Sequence, residues 1–406
     1  MPTYLSPGVY VEEVPSAVKP IAGVGTSVAA FIGIAPDDTE MPLKPGIDKE
    51  KAKPEDHYKL TAAHTPQLVT NWGEFKNNFG DFHVGNQYLA HAVYGFFQNG
   101  GTRCWVNRVT TVDDVVKAIE DLQAIDEITI VAAPLPPDTA PAALNVVHTA
   151  LVGHCELMED RVAILDSSRD IANDHFAVTP DATGIWRPPV NSKGYGAFYF
   201  PWILVADWLQ PAGTMIAVPP SGHIAGIYAR SDAQRGVHKA PANELVMDAL
   251  GLRYSIGKPL QQSLNPRGVN CIRSFNGTIK VWGARTLASD PDAGNPEWQY
   301  INVRRMFNYL RESIDEGTQW VVFEPNEPSL WAKITRNVTA FLTNVWRDGA
   351  LFGATPQQAF YVKCDAETNP PEVREQGMVV TEIGVALVKP AEFVIFRLSQ
   401  WAGPGK

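Results

Sequence analysis

The sequence predicts an α/β fold: a parallel α/β core, a C-terminal α+β module, and extended strand arms at the termini. Three observations predict it. From Cys104 to Asp166, short apolar runs alternate with helical patterns. Those runs are continuously apolar, as expected of strands buried on both faces of a parallel sheet. Further on, Asn276-Gly277 lies between CIRSF and TIKVWGARTL, a two-residue hairpin signal that opens a different kind of module. Finally, β-prone segments at both ends of the chain lack a partner in neighbouring sequence.

The elements follow in order. Residues 1–20 are punctuated by Pro2, Pro7, Pro15 and Pro20 and enclose one β-prone run, Gly8 to Val14, with Val9, Tyr10, Val11 and Val14 as its apolar residues. It is either a frayed terminus or an arm that adds to another sheet. Residues 21–110 form the first part of the core, beginning with the strand Val24 to Ala35; the polar, proline-rich stretch 36–66 is a surface insertion. Leu68 to Gly80 reads as a strand entering a short helix, and Tyr88 to Phe97 as a helix stopped by Asn99-Gly100-Gly101.

The α/β domain spans 104–270. Its strands are Cys104 to Val109, Ile128 to Ala132 and Arg161 to Asp166; its helices are Asp113 to Leu122 and about 142–158. Residues 170–195 read as a loop, and Phe198 to Val205 as a strand with Pro201 marking an edge or bulge. The C-terminal module spans 271–406, with a helix from Val303 to Glu316, strands at Gln319 to Phe323 and Gln358 to Cys364, and a long helix from Pro328 to Arg347. Two late runs, Met378 to Val388 and Phe393 to Leu398, have strong strand character.

Several function classes are weighed by composition. The 406 residues are 45% hydrophobic and 19% charged, with net charge -10, which disfavours wholesale nucleic-acid binding. The four cysteines, Cys104, Cys155, Cys271 and Cys364, are widely spaced and read as buried thiols, with no metal site or disulfide framework signalled. No stretch approaches a membrane span, and MPTYLSPGVYVEEVP has neither a basic nor an apolar leader region. The expectation is synthesis in the cytoplasm without a signal peptide.

The block from Pro219 to Val269 has the look of an active site. Ser221, His223, Arg230, Asp232, Arg235, His238 and Lys239 crowd together. One reading is a serine hydrolase using Ser221, His223 or His238, and Asp232. Yet residues two apart on a helix point to different sides, and no G-x-S-x-G elbow is present. The competing reading is a loop-helix-loop whose charges pair among themselves or with another subunit. A second ligand candidate is Asp166-Ser167-Ser168-Arg169, beyond a strand carboxyl end where α/β sheets bind nucleotides. The first turn, Thr110-Thr111-Val112, lacks the glycines such a site needs.

Pro328 to Arg347 carries Trp331, Ile334, Val338, Phe341, Leu342, Val345 and Trp346 at helical spacing. Lys333, Arg336 and Arg347 line its opposite face with no acid among them. This is either a solvated face or a docking face for an acidic partner. The tail residues Val380, Ile383, Val385, Phe393 and Ile395 belong to strands whose edges need covering by another chain.

In series, YLAHAVYGFFQNGGTRCWVNRV, APANELVMDALGL, LNPRGVNCIRSF, VWGARTLASD, YINVRRMFNYLRESIDEGTQWVVFEPNEPSLW and VKPAEFVIFRL resemble the sheath proteins of contractile tails. The resemblance runs from about Pro7 to Leu398. It implies a structural, non-enzymatic subunit with no cofactor and a subtilisin-like core, assembled helically around an inner tube that it drives through a target envelope. It implies partners of several kinds: other copies of the chain, alone or with paralogous sheath subunits, the tail tube, and baseplate and terminal cap proteins. Nucleic acid and inserted membrane are not among them. The N-terminal run becomes an inter-subunit arm, the strands near 378–398 its acceptor, and the 328–347 helix a tube-docking helix. The subunit would sit in a phage tail or injection particle, inside the cell or released by lysis.

Overall fold

The computed structural model describes residues 20–171, 178–179, 185–186 and 190–397. In chain order its strands and helices are β1 (Ala29–Ile34), β2 (Gln67–Val69), α1 (Trp72–Phe79), α2 (Gln87–Gln98), β3 (Cys104–Val109), α3 (Val115–Glu120), β4 (Ile130–Ala132), α4 (Pro141–Met158) and β5 (Val162–Asp166). Then come β6 (Val178–Thr179), β7 (Ile185–Trp186), β8 (Gly196–Phe200), β9 (Ile203–Ala206), β10 (Met215–Val218), α5 (Ser221–Arg235), β11 (Gly251–Leu252), α6 (Lys258–Leu264), β12 (Val269–Phe275) and β13 (Thr278–Val281). The chain continues through α7 (Ile301–Thr318), α8 (Pro328–Arg347), α9 (Pro356–Ala359), β14 (Phe360–Lys363), α10 (Pro371–Glu375) and β15 (Glu382–Val385).

The described residues fall into two compact units, 24–311 with 387–397, and 20–23 with 312–386. The larger unit is built on an eight-stranded sheet in the order β13-β12-β8-β5-β4-β1-β3-β2. All neighbours from β12 to β3 pair in parallel; only the edge strands β13 and β2 run antiparallel. The strands alternate their side chains between two cores, as a pleated sheet must. Phe31, Val162 and Ile164 point into the core beneath α1, α2 and α5. Ile32, Ala163 and Leu165 point into the core beneath α3 and α4. Both faces being covered explains why the central strands β1, β4 and β5 are almost wholly apolar.

The predicted parallel strands and helices are present with ends shifted by a few residues. Four expectations need correction. Phe198 to Val205 is two strands: it breaks at Pro201, so β8 joins the large sheet while β9 joins β10 and β11. Proline cannot continue the ladder. The Asn276-Gly277 hairpin forms, but it extends the large sheet through β12. Gln319 to Phe323 is a short 3-10 turn, with Val322 and Phe323 exposed. Phe393 to Arg397 has no regular secondary structure; of the other late run, only Glu382–Val385 is a strand.

Helix α5 is pressed unusually close to α2. A Cβ on Gly222 would lie 2.2 Å from the Ala92 carbonyl oxygen, and one on Gly226 2.4 Å from that of Phe96. Ten of the fifteen residues of α5 are buried, so it is a core helix. At its far end Asp232 accepts two hydrogen bonds from Arg305 of α7, at 2.9 and 2.5 Å. Arg305 also donates to the Thr26 carbonyl, and the Thr26 hydroxyl donates to Asp232. Both charged side chains are nearly inaccessible. Burial works against the Arg305 charge, but Asp232 more than offsets it and holds the guanidinium above its ordinary value. Breaking a buried pair from one side leaves an uncompensated charge, at a cost of about 3–5 kcal/mol. Asp232→Ala is therefore expected to lower the unfolding free energy by about that amount in urea titrations.

The smaller unit contains α8, which buries Leu330, Trp331, Ile334, Val338, Phe341, Leu342 and Val345. It also holds the two-stranded antiparallel sheet of β14 and β15, in register Phe360↔Val385 to Lys363↔Glu382.

Candidate functional site

The enzyme-like block resolves into core structure. The Ser221 side chain is fully buried, and its hydroxyl has no hydrogen-bond partner among the described residues. His223 packs against Gly95 of α2, and neither ring nitrogen has such a partner. Asp232 is committed to Arg305 and Thr26. Arg230 donates to the carbonyls of Asn99 and Leu245, and Lys239 pairs with Glu244. Among the described residues of this block, no nucleophile, base and orienter are linked by hydrogen bonds as a triad would be.

The nucleotide alternative meets a similar obstacle. The N-terminus of α5 lies beyond the carboxyl end of β5, the place where an anion would bind. That place is taken by the chain itself: the Ser221 N–H donates to Asp166 Oδ1 at 2.8 Å. Burial pushes the Asp166 carboxyl up to about 7 despite this contact. Ser167 is held through its carbonyl by the Trp202 indole N–H. Among the described residues no cluster could hold a metal ion, and all four cysteines are free and buried.

Burial has a second consequence. It depresses His91 and His154 to about 4, and His148 and His223 to about 3. In the unfolded chain they titrate near about 6.5. Groups whose folded value is depressed contribute stability above the unfolded value and lose it as pH falls. Asp166, raised when folded, acts in the opposite sense between about 4 and about 7. Four histidines outweigh one carboxyl. Urea unfolding at pH 6.5 and 4.5 should therefore show lower stability at the acid value, and Asp166→Asn should steepen that loss.

The remaining candidate residues lie on α8, on the two-stranded sheet and at the two ends of the chain. On α8, Arg336 and Arg347 are exposed and Lys333 is half-buried. None of the three forms an ion pair with a described residue. In the two-stranded sheet, each strand has one partner among the described residues. Ile383 and Val385 lie in β15, opposite Val362 and Phe360. Val380 precedes it, exchanging hydrogen bonds with the Asn369 side chain at 2.7 and 3.0 Å. Val9, Tyr10, Val11 and Val14 lie outside the described residues.

Phe393 and Ile395 belong to the larger unit. The run Phe393 to Phe396 is 69–84% exposed, an apolar segment bare in the single chain. Its departure point is fixed by Glu392, which sequence reasoning missed. Arg285 grips this carboxylate with two bonds, at 2.9 and 2.8 Å. Asn265 donates at 2.7 Å and the Tyr300 hydroxyl at 3.0 Å. The available signal was a lone acid between Pro390 and an apolar run.

Comparison with known proteins finds sheath components among those similar to this chain. The family described as phage tail sheath protein central domain matches residues 109–287, and phage tail sheath C-terminal domain matches 293–400. The chain belongs to the contractile tail sheath family. It is similar to a putative prophage major tail sheath protein of Pseudomonas aeruginosa, 25% identical over 273 residues, covering 64% of each chain. A tail sheath protein of Vibrio phage KVP40 is 27% identical over 183 residues, 44% of this chain and 25% of the relative. The chain thus spans less than two thirds of the length of these curated relatives. Among solved structures, the sheath of an extracellular contractile injection system, PVC, in its contracted state aligns over 99% of both chains with TM-score 0.74 and 27% identity. The contracted helical sheath of the anti-feeding prophage aligns over 98% of this chain and 100% of its own, with TM-score 0.73 and 27% identity.

Proposed function

We propose that this chain is a structural subunit of a contractile sheath, part of a phage tail or injection particle, that assembles helically and drives a tube through a target envelope by contracting. The observation that carries it is the likeness, over nearly the whole chain, to two contracted sheaths. The subtilisin-like description of the core stays within this proposal, supported by the parallel sheet covered on both faces. Baseplate contact is supported by similarity to a subunit in the anti-feeding prophage baseplate, with TM-score 0.72 and 28% identity.

Subunits are linked by exchanged strands in this proposal. The acceptor is the β14–β15 sheet around Val380, Ile383 and Val385, because a two-stranded sheet is marginal alone and its edges can take more strands. The N-terminal run Val9 to Val14 is one donor. Phe393 and Ile395 read better as a second donor than as acceptor, since their segment is exposed and unpaired. Deleting residues 1–14 should leave thermal unfolding unchanged while abolishing long sheaths in sedimentation; normal sheaths would rule out the exchange.

The tube is the proposed partner of Lys333, Arg336 and Arg347. Each exposed ion pair is worth about 0–1 kcal/mol, so contacts repeated over many subunits would hold register and still release together. Replacing all three with Glu should reduce co-sedimentation with tubes and leave sheath-only assembly intact. Unchanged co-sedimentation would place the tube contact elsewhere.

A further inference from the structure

The path of the C-terminal segment across the larger unit borders a groove of about 1010 Å³. Its lining carries Arg235, Lys239, Lys258, Arg273, Arg285 and Lys389, against one carboxylate, Glu392. Glu392 is already matched by Arg285, and Lys239 by Glu244. Arg235, Lys258 and Lys389 are exposed, and none has an ion-pair partner among the described residues. In a chain of net charge -10, this is a concentration of uncompensated positive charge. Phe393 and Val394 lie on the groove's rim, so the exposed apolar segment starts there.

The β14–β15 sheet shows the opposite sign. Asp365, Glu367, Glu372 and Glu375 are exposed along the connection between its strands and Glu382 at the start of β15, against Lys363 at the end of β14 and Arg374. Lys363 pairs with Glu367, leaving Glu372, Glu375 and Glu382 without an ion-pair partner among the described residues. Asn369 ties this connection to Val380 just before β15, so the acids are held beside the sheet.

We propose that the basic groove is the docking site for the acidic rim of the β14–β15 sheet of a second copy of this chain. The inference rests on the reading of Phe393 to Arg397 as an exchanged strand. Those five residues span about 17 Å when extended. A strand anchored at Glu392 and paired with a neighbour's sheet therefore brings that sheet's rim within reach of the groove. Attraction between the two faces aligns the neighbour before its sheet closes on the strand, and it weakens with salt. The strand supplies the lasting link; the charges set the register.

The test uses the full chain and reads the fraction sedimenting as sheath at about 0.15 M salt. Lys258→Glu with Lys389→Glu, and separately Glu372→Lys with Glu375→Lys, should each lower that fraction about fivefold. Combining all four substitutions should restore it, and the same recovery shows that none of them prevents folding. Phe393→Asp with Ile395→Asp is the control for the strand and should abolish sedimentation at every salt concentration. If that control sediments normally, the exchanged-strand reading itself fails. If the control fails to sediment while either charge-reversed pair sediments like the parent, or the fourfold variant stays low, the strand stands and the groove docking is overturned.

Discussion

The Arg305–Asp232 pair is the contact on which the larger unit depends. It joins α5, α7 and the chain leading into β1, three segments distant in sequence. Arg305 also lies over the Tyr228 ring at 4.7 Å, and the Tyr228 hydroxyl meets that of Tyr199 in β8. One buried charge pair thus fixes a helix to the sheet and to its outer neighbour. Such a pair adds less net stability than its Coulomb attraction suggests, because desolvation opposes it. What it supplies is a single allowed arrangement of those segments.

The same helix explains the enzyme-like impression. Ser221, His223 and Asp232 are each committed to contacts within the core. The Ser221 N–H meets Asp166, Asp232 meets Arg305, and His223 fills the space that Gly95 leaves open. Glycines at 222 and 226 let α5 approach the backbone of α2, so the block conserves space for packing rather than for substrate. Fold alone carries no activity.

Much of the core was legible in the sequence. Runs such as VAILD can only be strands covered on both faces, and helices between them must cross over, so the parallel sheet follows. Pro201 showed that a strand was interrupted, though not that the chain would change sheets there. Less legible were apolar runs that stay exposed in the single chain. Val322, Phe323 and Phe393 to Phe396 have the pattern of core residues and are exposed. Apolar pattern reports that a segment needs covering, not which chain covers it. The Glu392 anchor was hidden for a different reason: Arg285, Asn265 and Tyr300 lie about a hundred residues earlier, and only folding brings them around one carboxylate.

The measurement that tests the account most directly is electron microscopy of the particles that contain this chain, with the chain identified in them by mass spectrometry. The account predicts hollow, striated sleeves in two forms, long and thin or short and wide, with helical reconstruction showing strands from neighbouring copies added to β14 and β15. A compact monomer or small closed oligomer, with no sleeves at any concentration, would contradict it.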